Sequence, residues 1–193
     1  GPNLSDLSSG LASGQGDNDL DNEFITSTVD AASLEFQFET ASGDIYFDFV
    51  FASEEYNESV TNEFTDVLAV FVNGVNVALV PGTAEPVSIT TVNGGSPFGV
   101  GAKNPQFYVN NDLNDGGERL TDIGYDGFTT VFRAQATGLG PGTHTIKLAI
   151  SDVVDSLVDS GIFVAAHSLS DQDVLVPDEG IAGDLFNLDG DEN

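Results

Sequence analysis

The sequence predicts an all-β protein, an antiparallel β-sandwich of jelly-roll type with long loops. Apolar and other residues alternate with period two in several short runs, as in residues 45–51, which is the pattern of strands. These runs are separated by turn signals rich in Gly, Pro and Asn. No convincing amphipathic helix interrupts them, and short strands with frequent turns are typical of sandwiches.

The first half of the chain contains the strand signals that organise the rest. In residues 31–39, apolar and polar side chains alternate, which predicts a strand with one solvent-exposed face. Residues 45–51 place Phe47, Phe49 and Phe51 on one face, which predicts a half-buried strand. A short acidic segment, residues 53–58, follows this strand. A second β-rich run over 64–73 ends in Asn73-Gly74, a dipeptide typical of a tight hairpin, and residues 75–80 continue that hairpin.

The second half alternates between β-rich runs and loops. Strands are predicted over 87–92, 107–109, 128–135, 144–151 and 162–169. Residues 93–127 are mostly polar and irregular, and a connection of this length is usually functional or disordered. The prediction is one sandwich over 24–169, an N-terminal linker or first-strand region over 1–23, and an acidic C-terminal linker over 170–193 to a neighbouring module. Four acidic residues alternate from Asp17 to Glu23, which suggests part of a Ca²⁺ loop or a solvated linker.

Charge and composition limit the partners. The chain has 32 Asp and Glu against 4 Lys and Arg, a net charge of −28. We therefore expect no binding to nucleic acid and no membrane insertion, since a basic face or an apolar span would be needed. The acidity suits either a solvated surface in saline surroundings or oxygen ligands for Ca²⁺. The chain contains no Cys, which excludes disulfides, thiolate chemistry and cysteine metal sites.

Several acidic and amide residues lie where apolar runs end, and loops of a sandwich cluster at its two ends. Ca²⁺ takes six to eight oxygens from carboxylates and carbonyls. The candidate ligands are Glu54, Glu55, Asn110, Asn111, Asp112, Asp152, Asp155 and Asp159. Exposed acidic loops without an ion are the alternative interpretation.

Enzyme chemistry finds little support, so we expect no catalytic residues. His144 and His167 are the two histidines, and no nucleophile elbow accompanies them. Glu54 and Glu55 would face opposite sides of a regular strand and so do not form a glycosidase pair. Tyr56, Tyr108 and Tyr125 stand beside acidic clusters, where they could recognise a ligand or pack at the rim.

Seven segments, in this order, resemble the choice-of-anchor L domains, a family of bacterial surface modules. They are FDFVFASEEYNE (47–58), FTDVLAVFVNG (64–74), ALVPGT (78–83), PVSITTVN (86–93), YVNND (108–112), YDGFTTVF (125–132) and PGTHTIKLAISDVVDSLVDSGIF (141–163). With the charge and the missing Cys, they suggest a module of a repeats-in-toxin (RTX) adhesin. The resemblance supports the Ca²⁺ ligands given above and adds Asp126.

The resemblance implies an extracellular, cell-surface domain that binds a peptide or protein C-terminus through a Ca²⁺-containing pocket. We assign Tyr108, Tyr125, Asp126 and Ser156 to ligand binding, and we expect a monomer with adhesin domains as neighbours. A carbohydrate-binding or glycan-active domain is an alternative, although the chain has no Trp as a sugar platform. A structural spacer is a third interpretation.

Overall fold

The computed structural model of the chain describes residues 14–61, 65–117, 123–153, 158–173 and 185–187. Two antiparallel sheets pack face to face, which confirms the predicted β-sandwich. In spatial order, the first sheet contains β1 (Thr28–Thr40), β8 (Gly142–Val153), β3 (Val67–Val72) and β4 (Val75–Asn76). The second contains β10 (Leu185–Asn187), β9 (Ser160–Ala165), β2 (Ile45–Ser53), β6 (Gly127–Thr129) and β5 (Tyr108–Asn110), with β7 (Phe132–Ala136) also paired to β2.

The core between the sheets is built from alternate residues of each strand. Phe47, Phe49 and Phe51 of β2 all face it and are almost fully buried. Ile146 of β8 meets them from the opposite sheet. Phe49 and Phe132 pack edge to face with ring centroids 6.0 Å apart, a favourable arrangement for aromatic pairs. The period-two prediction for β2 is therefore confirmed for its inner face.

The outer face of β2 is covered as well, so the half-buried prediction is wrong for this strand. Ala52 lies in a second apolar cluster with Tyr125, Phe128 and Phe163. Asp48, also on the outer face, receives two hydrogen bonds from Arg133, from Nε at 2.8 Å and Nη2 at 3.1 Å. The polar alternate positions of β2 are thus paired or covered instead of facing water.

A short helix, α1 (Asn18–Phe24), lies where the sequence suggested a Ca²⁺ loop or a solvated linker, and both interpretations are wrong. Asp17 caps it, because its side chain accepts hydrogen bonds from the backbone of Asp19 and Leu20. Leu20 is fully buried against Phe71 on the outer face of the first sheet. Residues 14–24 are therefore part of the folded body.

The acidic alternation in this segment serves the fold. Lys147 of β8 contacts Asp17 and Asp19, each with a nitrogen–oxygen distance of 2.6 Å. Asp21 accepts hydrogen bonds from the amide and hydroxyl of Thr28, the first residue of β1. Because these carboxylates anchor α1, their spacing reflects helix attachment and not the geometry of an ion loop.

Several other boundaries differ from the prediction. Residues 87–92 form no strand; Val87, Ile89 and Val92 are buried in the core while their backbone turns. The run over 128–135 is divided between β6 and β7. The hairpin at Asn73-Gly74 is confirmed, with φ of 50° and 80°, but β4 is only two residues long. Beyond residue 169, Ser170 pairs with Tyr46, and β10 adds to β9, so part of this segment belongs to the sandwich.

Candidate functional site

One end of the sandwich collects acidic side chains from segments that are distant in sequence. At this end β2 and β8 finish while β1, β3 and β9 begin, as the pairs Ser53–Ser160 and Thr28–Val153 show. The carboxylates here belong to Asp30, Glu55, Asp66, Asp152 and Asp159, and we call this group the acidic end. It contains three of the predicted metal ligands: Glu55, Asp152 and Asp159.

Asp66 connects the two sheets at the acidic end. Its carboxylate accepts a hydrogen bond from Ser53 Oγ at 3.2 Å and another from Ser160 Oγ. Ser53 and Ser160 lie in the second sheet, whereas Asp66 directly precedes β3 of the first. Asp66 is 1% exposed, so this carboxylate is held in place by hydroxyl donors from the opposite sheet.

Asp152 lies at the electrostatic centre of the acidic end. Burial, followed by the negative charges of Asp66, Asp30, Asp159 and Glu55, raises the pKa of Asp152 from 3.8 to about 9. Both effects disfavour the ionised form. At neutral pH this carboxyl therefore holds a proton, unless another positive charge replaces it.

Glu54 and Glu55 turn in different directions because β2 ends at Ser53. Glu55 is buried, and its amide donates to Ser53 Oγ at 2.9 Å. Glu54 donates its amide to the carbonyl of Asp159 at 3.0 Å, and Glu54 Oε1 lies beside Gly124. Glu55 thus belongs to the acidic end, while Glu54 faces the loop that precedes β6.

The predicted ligands of the long loop form a second polar group, in which the side-chain amides bind the loop's own backbone. Asn111 Nδ2 donates to the carbonyl of Tyr125 at 2.9 Å, and its backbone amide donates to the carbonyl of Asp126 at 2.8 Å. Asn110 Nδ2 donates to the carbonyl of Asp115 at 3.1 Å. Asp112 Oδ1 accepts the amide of Asn114 at 2.7 Å. These contacts give the loop a defined shape.

Tyr108 connects this second group to the core. Burial, followed by the charges of Asp115, Asp126 and Asp112, raises the pKa of Tyr108. Its ring packs against Tyr56 with centroids 4.8 Å apart. Tyr56 is fully buried, and burial followed by the negative fields of Tyr108 and Asp66 raises its pKa. Tyr56 therefore lies between the long loop and the acidic end.

The structure does not bring together all residues predicted to bind a ligand. Tyr108 packs against the core between the sheets. Tyr125 packs on the outer face of the second sheet, edge to face with Phe163 at 5.9 Å. A sheet thus separates the two tyrosine rings. The negative charge of Asp126 acts on Tyr108. Asp155 and Ser156 lie outside the described residues.

The sequence interpretation missed Asp30 and Asp66. Asp66 had a signal, because it is an acidic residue directly before the apolar run of β3. Asp30 had none, since its place depends on the pairing of β1 with β8. Within the described residues, no three carboxylate or imidazole groups lie close enough together to form a ready metal site. The donor set is nevertheless composed of oxygen atoms, as Ca²⁺ requires.

Comparison with known proteins identifies the family. No curated protein and no solved structure matches the chain. In the described part of the chain, no helix has the length and apolar character needed to cross a membrane. The model of the choice-of-anchor L domain matches residues 1–170, and such domains are typical of secreted, cell-surface proteins. The chain belongs to the choice-of-anchor L domain family.

Proposed function

We propose that this domain is a Ca²⁺-dependent adhesive module of an RTX adhesin, which binds a peptide or protein C-terminus at its acidic end. The observation that carries the proposal is the convergence of carboxylates from separate segments on the partly buried Asp152. Family membership supports the coarser part, a surface-associated, adhesin-like and non-enzymatic module.

Ca²⁺ resolves the electrostatic conflict at the acidic end. Glu55, Asp66, Asp152 and Asp159 provide oxygen donors from both sheets. In the proposal, Asp155 adds to them from the segment that connects β8 to β9. Ca²⁺ would replace the proton that Asp152 otherwise holds, and binding would draw the carboxylates together into a coordination sphere.

A cation also explains how this protein could bind an anionic terminus. The net charge is −28, so a ligand carboxylate would be repelled by the protein alone. A bound Ca²⁺ is the largest local charge and reverses the sign of the field around it. In the proposal, Tyr108 and Asp126 contact the ligand's last residues; they belong to the group of the long loop, which Tyr56 connects to the acidic end.

The direct experiment measures thermal unfolding and peptide capture in Ca²⁺ and in EDTA. Ca²⁺ at about 100 times its Kd should stabilise the fold by about 2.7 kcal/mol. Immobilised peptides with a free C-terminus should be captured in Ca²⁺, and the same peptides with an amidated C-terminus should not. Unchanged melting and capture in EDTA would refute the proposal.

Two variants localise the site. Glu55→Gln and Asp66→Asn should weaken the Ca²⁺ titration, because each removes a carboxylate charge at the acidic end. Glu39→Gln is the matched control, since Glu39 is exposed near the opposite end of β1. Equal Ca²⁺ affinity in all three variants would place the ion elsewhere. In the capture assay, binding of immobilised glycans instead of peptides would favour a carbohydrate-binding module.

A further inference from the structure

A run of exposed apolar residues lies in the Gly-rich loop over 93–103, which we call the apolar loop. Pro97, Phe98, Gly99 and Val100 follow one another in the chain and are all exposed, with Phe98 at 48% and Val100 at 59%. Single exposed apolar residues are normal on a protein surface. Three or four in succession are unfavourable unless they have a function.

Hydrogen bonds fix the shape of the apolar loop. Asn93 is 1% exposed, and it ties the two ends of the loop together. Its backbone amide donates to the carbonyl of Lys103 at 2.9 Å, and its Oδ1 accepts the amides of Gly95 and Lys103 at 3.0 and 3.1 Å. Within the loop, Val100 donates its amide to the carbonyl of Pro97 at 2.9 Å. Because the loop is ordered before a partner arrives, binding here loses little conformational entropy.

Phe98 lies against Gly94, beside Tyr108. A Cβ atom at position 94 would come 2.5 Å from Cε2 of Phe98 and 2.8 Å from Cε1 of Tyr108, so a side chain there would displace both rings. Gly94 is held in place because its amide donates to Oδ1 of the buried Asn57 at 3.2 Å. About half of the Phe98 side chain is therefore supported by the protein, and the other half is open to a partner.

Acidic residues are missing from this part of the chain. The chain has 32 Asp and Glu, yet residues 86–111 contain none, and Lys103 is the single charged residue among them. Within the described residues, Lys147 and Arg133 form ion pairs with carboxylates, whereas the exposed Lys103 forms none. The buried centres of protein interfaces are depleted of charge and their rims are polar. The apolar loop therefore suits an uncharged apolar partner, with Lys103 at the rim.

We propose that the apolar loop is a docking surface for an uncharged, apolar peptide segment of a partner protein, which Phe98 and Val100 contact directly. A second copy of this chain is disfavoured, because the contact would bring together two bodies of charge −28. An anionic membrane is repelled by the same net charge. The contact requires neither Ca²⁺ nor a free C-terminus, so it is independent of the proposed function.

An NMR titration of the full chain tests the proposal. The probe is an acetylated and amidated peptide with the sequence Ser-Leu-Phe-Val-Leu-Ser, whose blocked C-terminus cannot act as the ligand of the proposed function. We expect saturable shifts of the backbone amides of Phe98, Gly99 and Val100 with this probe, and none with a peptide in which Ser replaces the four apolar residues. No shifts at these amides, or equal shifts with the Ser peptide, would overturn the proposal.

Variants distinguish this surface from unspecific apolar contact. Phe98→Ser with Val100→Ser should weaken binding of the probe about tenfold or more, because the apolar area that these side chains bury against it is lost. Val75→Ser is the matched control, since Val75 is 66% exposed in the hairpin after β3 and should leave binding unchanged. Equal binding by the double variant and the natural chain would overturn the proposal. Association with phosphatidylcholine vesicles instead of the peptide, or a dimer in sedimentation that the double variant abolishes, would also overturn it.

Discussion

Replacing Asp152 with asparagine should stabilise the metal-free protein and, if the proposed Ca²⁺ site is correct, should also reduce the stabilisation gained on adding Ca²⁺. The carboxyl has a pKa of about 9 in the fold against 3.8 in its ordinary state. The folded state therefore binds more protons than the unfolded state, so stability is full below about pH 4 and falls as the pH rises towards 9.

The size of the effect follows from the pKa difference. One pKa unit corresponds to about 1.4 kcal/mol, so at pH 7.5 the unfolded state gains about 5 kcal/mol from ionising Asp152 if the whole shift is realised. Asp152 remains partly exposed at the surface, which weakens the effect by solvent screening. We expect Asp152→Asn to raise the free energy of unfolding in EDTA by about 2 kcal/mol at pH 7.5.

Urea unfolding in EDTA at pH 4.5 and 7.5 measures this directly. The gain in Asp152→Asn should be much smaller at pH 4.5, because this pH is less than one unit above the ordinary pKa of 3.8 and ionisation in the unfolded state then favours unfolding by only about 1 kcal/mol before screening. Glu35→Gln, at an exposed position of β1, is the control and should show no such pH dependence. A variant that is equally or less stable than the natural protein in EDTA at pH 7.5 would refute the electrostatic reasoning.

Two further predictions concern the attachments that complete the fold. Arg133→Met should lower the free energy of unfolding by about 2–4 kcal/mol, because it leaves the low-exposure carboxylate of Asp48 without its bidentate partner. Arg133→Lys should recover only part of this loss. Equal stability of the Met and Lys variants would contradict this prediction. Leu20→Ala should lower the free energy of unfolding by about 2–4 kcal/mol in urea unfolding, since Leu20 is the fully buried residue through which α1 packs on the first sheet. Ile25→Ala is its control, because Ile25 is 93% exposed and should change stability by less than about 0.5 kcal/mol; similar losses in the two variants would show that α1 does not pack as described.

Local pattern predicted most of the strands. The phenylalanines of β2 and the sequence Ile146, Leu148, Ile150 in β8 reach the core because side chains alternate along any strand. The hairpin at Asn73-Gly74 was equally local, since two positive φ values are needed there. Residues 87–92 show the limit of this reasoning, because burial of apolar residues does not require a paired backbone.

The segment around α1 shows a different limit. Its alternating acids have the spacing of an ion loop, but Lys147 and Thr28 from distant positions in the chain are their partners. Seven residues form a marginal helix by themselves. The burial of Leu20 against Phe71 supplies what helix propensity does not.

The sequence by itself determined that the chain is an acidic antiparallel sandwich of the choice-of-anchor L family, because alternation, turn residues and motif order are local or linear properties. The tertiary structure decided which acids meet. Sheet pairing places Asp66 across from Ser53 and Ser160, and it separates Tyr108 from Tyr125 by the thickness of a sheet. Such placements depend on the register between strands far apart in the chain, and no single segment encodes that register.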